Sequence, residues 1–172
     1  MTNTATDTDR TMMQRALKLA TDAGASGEVP VGAVVYETAS GIVLGEGVNR
    51  REIDRDPAAH AEFIAIQQAC RSIGDWRLNH CSLAVTLEPC PMCAGLIVNA
   101  RIGRVVYGCD DPKAGACRSL FGLTTDPRLN HRVELIPGVL AEPAAELLRA
   151  FFKDRRQRSA DRPRPPTDHP PE

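Results

Sequence analysis

Two short stretches hold side chains able to do chemistry: His60-Ala61-Glu62 and Pro89-Cys90-Pro91-Met92-Cys93. Zinc takes thiolate sulfur and imidazole nitrogen in a tetrahedral shell, with Zn–S bonds of ~2.3 Å. A zinc that acts on substrates keeps one position for water, and three ligands from His60, Cys90 and Cys93 would leave that position open. A Cys-x-x-Cys pair suits one metal when its sulfurs converge at the start of a helix. The residues after Cys93 (Ala94, Leu96, Ile97, Val98) read as helical. The positive end of such a helix lowers thiol pKa and favours thiolates.

Glu62 needs its own argument. On an ideal helix, residues two apart point roughly 200° away from each other. His60 and Glu62 therefore approach one metal together only near the end of a helix axis. Asp56-Pro57 precedes them, and an apolar helical pattern at Phe63, Ile66, Cys70 and Ile73 follows. A carboxylate beside a zinc-bound water, but not itself a ligand, is a good general acid and base. Two plainer readings compete. Cys-x-x-Cys alone is often a redox pair, or half of a structural zinc site that recruits a fourth ligand such as His80, Cys81 or Cys109. The structural site gives Glu62 no task.

The elements that must position these groups follow from patterning. A helix is expected over Thr11–Ala23, with Thr11 as a possible cap and Gly24 as its stop. Val31–Glu37 and Ile42–Val48 read as a hairpin closed by Thr38–Gly41. A charged loop over 50–58 leads to the His60 helix, which Gly74 ends. Trp76, the one tryptophan, suits either the core or a subunit contact. Cys81–Leu87 reads as a strand running into the Cys90 loop, Met92–Ala100 as a helix stopped by Gly103, and Arg104–Tyr107 as the next strand. Strand, helix, strand argues for parallel neighbours, and ligands gather beyond the carboxyl ends of parallel strands. An irregular stretch over 109–129 precedes a strand at Val133–Ile136. Glu142-Pro143 opens a last helix with an apolar face at Leu147, Leu148, Phe151 and Phe152.

His-x-Glu joined to Pro-Cys-x-x-Cys is the established signature of zinc nucleobase deaminases. Further stretches make the likeness specific: Glu28-Val-Pro-Val-Gly-Ala-Val, Gly45-Glu-Gly-Val-Asn49-Arg, Thr86-Leu-Glu-Pro-Cys-Pro-Met-Cys-Ala-Gly95, Arg101-Ile-Gly-Arg-Val-Val-Tyr-Gly108 and Asn130-His-Arg132. From about Arg15 to Arg156 the chain resembles the bacterial tRNA-specific adenosine deaminases of the cytidine/deoxycytidylate deaminase superfamily. The resemblance implies an α/β fold, three-layer α/β/α and cytidine-deaminase-like, with a central mixed sheet of about five strands flanked by helices. It implies one Zn2+ per subunit on His60, Cys90 and Cys93, with Glu62 as the catalytic proton carrier. It implies hydrolytic conversion of the wobble adenosine of a tRNA anticodon loop to inosine, by a homodimer.

Substrate contacts are implied in the same way. Asn49 would hydrogen-bond the nucleoside, although residue type alone favours a turn asparagine satisfying its own backbone. The backbone around Ala61 and the Cys90 loop could donate to the base. In Asp110-Asp111-Pro112-Lys113-Ala114-Gly115, Lys113 could reach phosphate and Asp110 could order the loop or the RNA, or the segment is an ordinary charged turn. Arg118 departs from the family, which commonly has a small residue there. Asn130 and His131 would lie near the RNA. Phe152 could meet a flipped base or pack in the core. Zinc chemistry alone does not choose between adenine, guanine and cytosine. A free-base or nucleoside deaminase such as a guanine deaminase therefore stands as one alternative, and a non-catalytic zinc/RNA-binding subunit as another, which Glu62 argues against.

Length and composition agree with one soluble domain: 172 residues, 42% hydrophobic and 25% charged. No apolar run suggests a signal core or a membrane span, so cytoplasmic location and reduced thiols are expected, with Cys70 and Cys81 as core thiols. A net charge of −1 does not suggest a nucleic-acid binder. Arg149–Arg158, however, holds Arg149, Lys153, Arg155, Arg156 and Arg158 against one acid, Asp154. Local patches make phosphate contacts, so Arg155 and Arg156 are candidate RNA contacts. The expected division is a disordered lead over 1–9, the zinc-dependent deaminase domain over 10–158, and a disordered Pro/Arg-rich tail over 159–172.

Overall fold

Alternation along the strands puts two apolar faces on one sheet, and helices close both. The computed structural model describes residues 4–160. In order, these form α1 (Asp7–Ala25), β1 (Gly32–Glu37), β2 (Val43–Val48), α2 (Ala61–Ile73), β3 (Cys81–Leu87), α3 (Pro91–Asn99), β4 (Arg104–Cys109), a 3-10 turn (Leu123–Thr125), β5 (Glu134–Ile136) and α4 (Ala141–Ala160). The five strands make one mixed sheet, ordered β2-β1-β3-β4-β5. β1 is antiparallel to β2 and β3, whereas β3, β4 and β5 run parallel. This is the α/β three-layer arrangement that the family resemblance implied.

Val34, Tyr36, Ala84, Val106 and Ile136 meet Met13 and Ala16 of α1 on one face. Ala33, Val35, Leu83, Val85, Val105 and Tyr107 meet α2 and α3 on the other, through Ala61, Ala65, Ala69 and Ile97. The register brings the start of β1 beside the ends of β2 and β3. The chain entering β1, the turn after β2 and the Cys90 loop after β3 therefore share one edge of the sheet.

Close packing of α2 fixes that edge. A Cβ at Gly47 would lie 2.1 Å from the carbonyl oxygen of Ala61, and one at Gly45 would lie 2.2 Å from that of Ala65. Glycine on the strand and alanine on the helix let the backbones approach. The buried stripe of α2 is accordingly Ala61, Ala65, Ile66 and Ala69. This corrects the stripe expected at Phe63, Ile66, Cys70 and Ile73, of which Ile73 is 44% exposed. Gly74, at φ 75°, ends the helix as expected.

Other boundaries also differ. The lead expected through Asp9 ends earlier. Thr6 caps α1 by accepting from the Asp9 amide, and the Asp9 carboxylate accepts from the Thr6 amide in return. Asp9 is buried because Arg104 Nη2 donates to it at 2.8 Å and Tyr36 donates to it at 2.5 Å. Thr11 only returns its hydroxyl to the Asp7 carbonyl. α3 ends at Asn99 with Ala100 as its C-cap, close to the expected end, but Arg101 at φ 59° turns the chain there and Gly103 is not the stop. Trp76 is half exposed with the Arg77 guanidinium 4.1 Å from its ring centroid, so it is no core residue. Ser159 and Ala160 belong to α4, while the rest of the expected tail and the first three residues of the lead lie outside the described residues.

Candidate active site

His60 and Cys90 are the N-cap residues of α2 and α3. N-caps are usually Ser, Thr, Asp or Asn, whose side chains bond back to the helix. Neither His60 nor Cys90 makes such a bond, and both have extended backbone. Their side chains are free to face each other, and two positive helix ends converge there. Pro91 suits the first position of α3 because no amide is needed at that place. Cys93 follows one turn in and is buried.

His60 Nδ1 lies 3.6 Å from Cys90 Sγ and 3.6 Å from Cys93 Sγ. The ligand atoms of the three residues all fall within 4.8 Å of one another. Bonds of ~2.3 Å to sulfur and ~2.0 Å to nitrogen, at tetrahedral angles, give an N···S edge of about 3.5 Å, close to the 3.6 Å found here. The three side chains therefore fit a tetrahedral zinc through the Nδ1 of His60. Without metal, the Cys90 thiol is pulled down to about 4, chiefly because the Cys93 thiol donates to it and despite its burial. Cys93 is pushed up by that same bond and by burial. The Cys90 contact raises His60 against its burial, with the Glu62 charge adding to the rise.

Glu62 sits in the first turn of α2 and is 4% exposed. Burial, the largest influence, raises its pKa. It opens with His60, Cys90, Asn49 and Arg51 onto a cavity of about 220 Å³, walled by Val29, Val31, Leu87, Glu88, Asp111 and Ala114. His60 as cap and Glu62 two residues on meet at the helix end, as the helical geometry requires.

Asn49 reaches the cavity with its amide fixed. Its Nδ2 donates to the buried Glu28 carboxylate at 2.8 Å, and its backbone amide donates to the Val31 carbonyl at 3.0 Å. The other Glu28 oxygen accepts from the Ile53 amide at 2.7 Å. Ala61 is buried at the first position of α2, where helix amides lack intrahelical partners. Lys113 is exposed and outside the cavity lining, on the loop whose Asp111 and Ala114 form its wall. Asp110 takes the loop-ordering option. It accepts a two-pronged pair from Arg118, at 3.1 and 2.9 Å, and the Tyr107 hydroxyl at 2.9 Å.

Asn130 and His131 do not join this group. Arg101 Nη1 donates to Asn130 Oδ1 at 2.7 Å, and His131 Nε2 lies 2.7 Å from the Ile102 carbonyl. Both are tied to the turn between α3 and β4, outside the cavity lining. Phe152 is 42% exposed and meets Phe151 edge-on, at 5.4 Å between centroids. Arg155 lies over the Phe151 ring at 5.7 Å, and Arg156 is exposed. Sequence reasoning missed Glu28 and Glu88 as individuals. Both are acids inside quoted motifs next to apolar strand residues, a position where carboxylates are rarely buried without a task.

The family model described as MafB19-like deaminase matches residues 7–156. A tRNA-specific adenosine deaminase of Haemophilus influenzae is 47% identical over 149 residues, covering 87% of this chain and 86% of its own length. One from Bacillus subtilis is 43% identical over 150 residues, covering 87% and 92%. The chain belongs to the tRNA-specific adenosine deaminase family. A solved structure from work on A-to-I editing by tRNA:A34 deaminases at the wobble position of transfer RNA superposes with a TM-score of 0.76. It is 40% identical and covers 80% of this chain and 99% of that one. The deaminase thus shares its fold and nearly its whole described length with these relatives. Its His60, Cys90 and Cys93 form the one cluster of three or more such side chains suited to a metal among the described residues, and Glu62 stands beside it on the same cavity.

Proposed function

We propose that the protein deaminates the wobble adenosine of a tRNA anticodon, with zinc on His60, Cys90 and Cys93. One observation carries the reading: the three ligand atoms converge beside buried Glu62 on a cavity small enough for a single flipped base. Zinc, when bound, supplies a water of lowered pKa.

Glu62 takes a proton from the attacking water and delivers it to N1 of the purine. Protonation makes C6 electrophilic, and the water oxygen adds there. Glu62 then takes the proton left on the added oxygen and hands it to the amino group; the C6–N6 bond breaks as the C6–O carbonyl forms, and ammonia leaves. Adenosine and water become inosine and ammonia. A raised pKa suits a group that must both accept and donate near neutral pH. Asn49 presents its Oδ1 to the nucleoside because Glu28 holds its Nδ2. Val29, Val31 and Leu87 give the base an apolar wall. A loop base is already partly unstacked, so its extrusion costs less than from a duplex.

Lys113, on the loop beside the cavity, and the α4 cations Arg155 and Arg156 are the RNA contacts of this reading. Phe152, exposed next to them, offers a stacking face. Asn130 and His131 would serve the RNA from outside the cavity. Two copies form the working unit, and the half-exposed Trp76 supports this. With Ile66, Cys70 and Leu96 it lines an open groove between α2 and α3. Trp76→Glu should shift sedimentation toward the monomer. The substrate makes the cytoplasm its compartment, and no described helix is long and apolar enough to cross a membrane.

The test is zinc-loaded protein with an anticodon stem-loop bearing adenosine, read out as inosine, with guanine and cytidine as controls. Inosine in the stem-loop is expected. Turnover of guanine without the stem-loop would replace this reading with a free-base deaminase.

A further inference from the structure

Glu88 is 2% exposed and collects five donors from one loop. Its Oε1 accepts the backbone amides of Cys117 at 3.1 Å, Arg118 at 2.8 Å and Ser119 at 2.9 Å. Its Oε2 accepts the Asp111 amide at 3.0 Å and the Ser119 hydroxyl. One carboxylate thus holds both ends of the segment 111–119. A carboxylate offers about four lone-pair positions and no donor, so a ring of N–H and O–H groups matches it.

The placement matters for the cavity. Glu88 stands two residues before Cys90 on the chain leaving β3. Its own amide donates to the Cys109 carbonyl at 2.9 Å, and the Pro89 carbonyl accepts from Ala116 at 2.8 Å. The segment it holds supplies Asp111 and Ala114 to the cavity wall, facing His60 and Glu62. Gly115 records the same constraint from the other side. A Cβ there would lie 2.2 Å from Glu88 Oε2 and 2.6 Å from the Asp111 carbonyl oxygen. The loop is bare where the carboxylate passes.

We propose that Glu88 is a positioning residue for the substrate: its carboxylate fixes the wall at Asp111 and Ala114 relative to the Cys90 turn, so that a bound base is held against the reacting centre. This rests on reading the cavity as the substrate site. Glu88 is part of the cavity wall, but both of its oxygens are taken by donors of the 111–119 segment, so it acts through that segment and not on the reacting atoms. Loosening it lets the wall recede, which weakens substrate binding before it alters the chemical step.

Glu88→Gln in the full zinc-loaded chain tests it. Glutamine keeps the length but has one acceptor oxygen. With that oxygen toward Cys117–Ser119, its NH2 meets the Asp111 amide, donor against donor. Amide exchange at Asp111–Ala114 should accelerate about tenfold, and KM for the stem-loop should rise about tenfold. Zinc content should hold, with kcat changed less than about threefold. Wild-type exchange over 111–119, or a fall in kcat at unchanged KM, would overturn the proposal.

Ser119→Ala removes one donor and leaves the carboxylate. It should move exchange and KM the same way by about threefold, and it decides the matter if Glu88→Gln does not fold. Unchanged exchange and KM in Ser119→Ala would overturn the proposal. Exchange needs no turnover. A wild-type chain inactive on the stem-loop would therefore refute the substrate assignment, while the exchange pattern would still judge the role of Glu88.

Discussion

Asn49 Nδ2 donates to Glu28 Oε2 at 2.8 Å, and both residues are buried at the edge of the sheet where the cavity opens. A carboxylate only accepts, so the amide of Asn49 has one permitted orientation. Its nitrogen faces Glu28 and its oxygen is left for a substrate donor. Glu28 is divided between Asn49 and the Ile53 amide, one oxygen each.

Glu28→Gln should therefore impair turnover without touching metal. Its single carbonyl oxygen cannot serve Asn49 and Ile53 together, and its NH2 permits the flipped amide. The expected loss is about tenfold in kcat/KM, near 1.4 kcal/mol, the range for one misplaced buried hydrogen bond. Steady-state kinetics with zinc analysis checks it. Full activity would show that the orientation of Asn49 is not used.

Stability should depend on Asp9 at acid pH. Burial raises its pKa, but bonds from Arg104, Tyr36 and Thr6 outweigh that and hold the carboxyl below its ordinary value. A depressed folded pKa means stability fully present above the unfolded value of ~3.9 and lost as pH falls through the folded value. Asp9→Asn should cost about 3 kcal/mol at neutral pH, because Arg104 loses its buried partner but keeps Glu134. Below about pH 4 the gap between the two proteins should narrow. Urea melts at pH 7 and pH 3 measure both effects, and a gap independent of pH would remove the ion pair from the account.

RNA affinity should depend on α4. Neutralising Arg155 and Arg156 to Gln should weaken stem-loop binding at low salt and leave zinc content alone. If both touch phosphate, the slope of log affinity against log salt should shrink by about 1.4, from ~0.7 per contact on single strands. An unchanged slope would make this end of α4 a solvated face, with Arg155 merely covering Phe151.

The parts of the site visible in the sequence were those that depend on side-chain type at fixed spacing. His60 before an apolar helix, Glu62 two residues on and the Cys90–Cys93 pair after a strand stood out as candidate groups by type and spacing, and the deaminase signature they spell together assigned them as one site. β3 begins and ends where patterning put it, because β-branched and apolar residues alternate between two buried faces there. The parts that escaped depend on backbone. Five donors on Glu88 come from amides and a hydroxyl of a segment with no periodicity. The alanine stripe of α2 was masked by larger neighbours, since only the glycines opposite it show that small residues face the sheet. Asp9 looked like polar lead sequence because its partners, Tyr36 and Arg104, lie 27 and 95 residues away.

The most direct test of the account is the deamination rate of Glu62→Ala on the adenosine stem-loop, measured per zinc bound. The account predicts zinc near wild-type content, because Glu62 is no ligand, with the rate reduced by at least about 10²-fold. A variant that keeps its zinc and deaminates at the wild-type rate would contradict it.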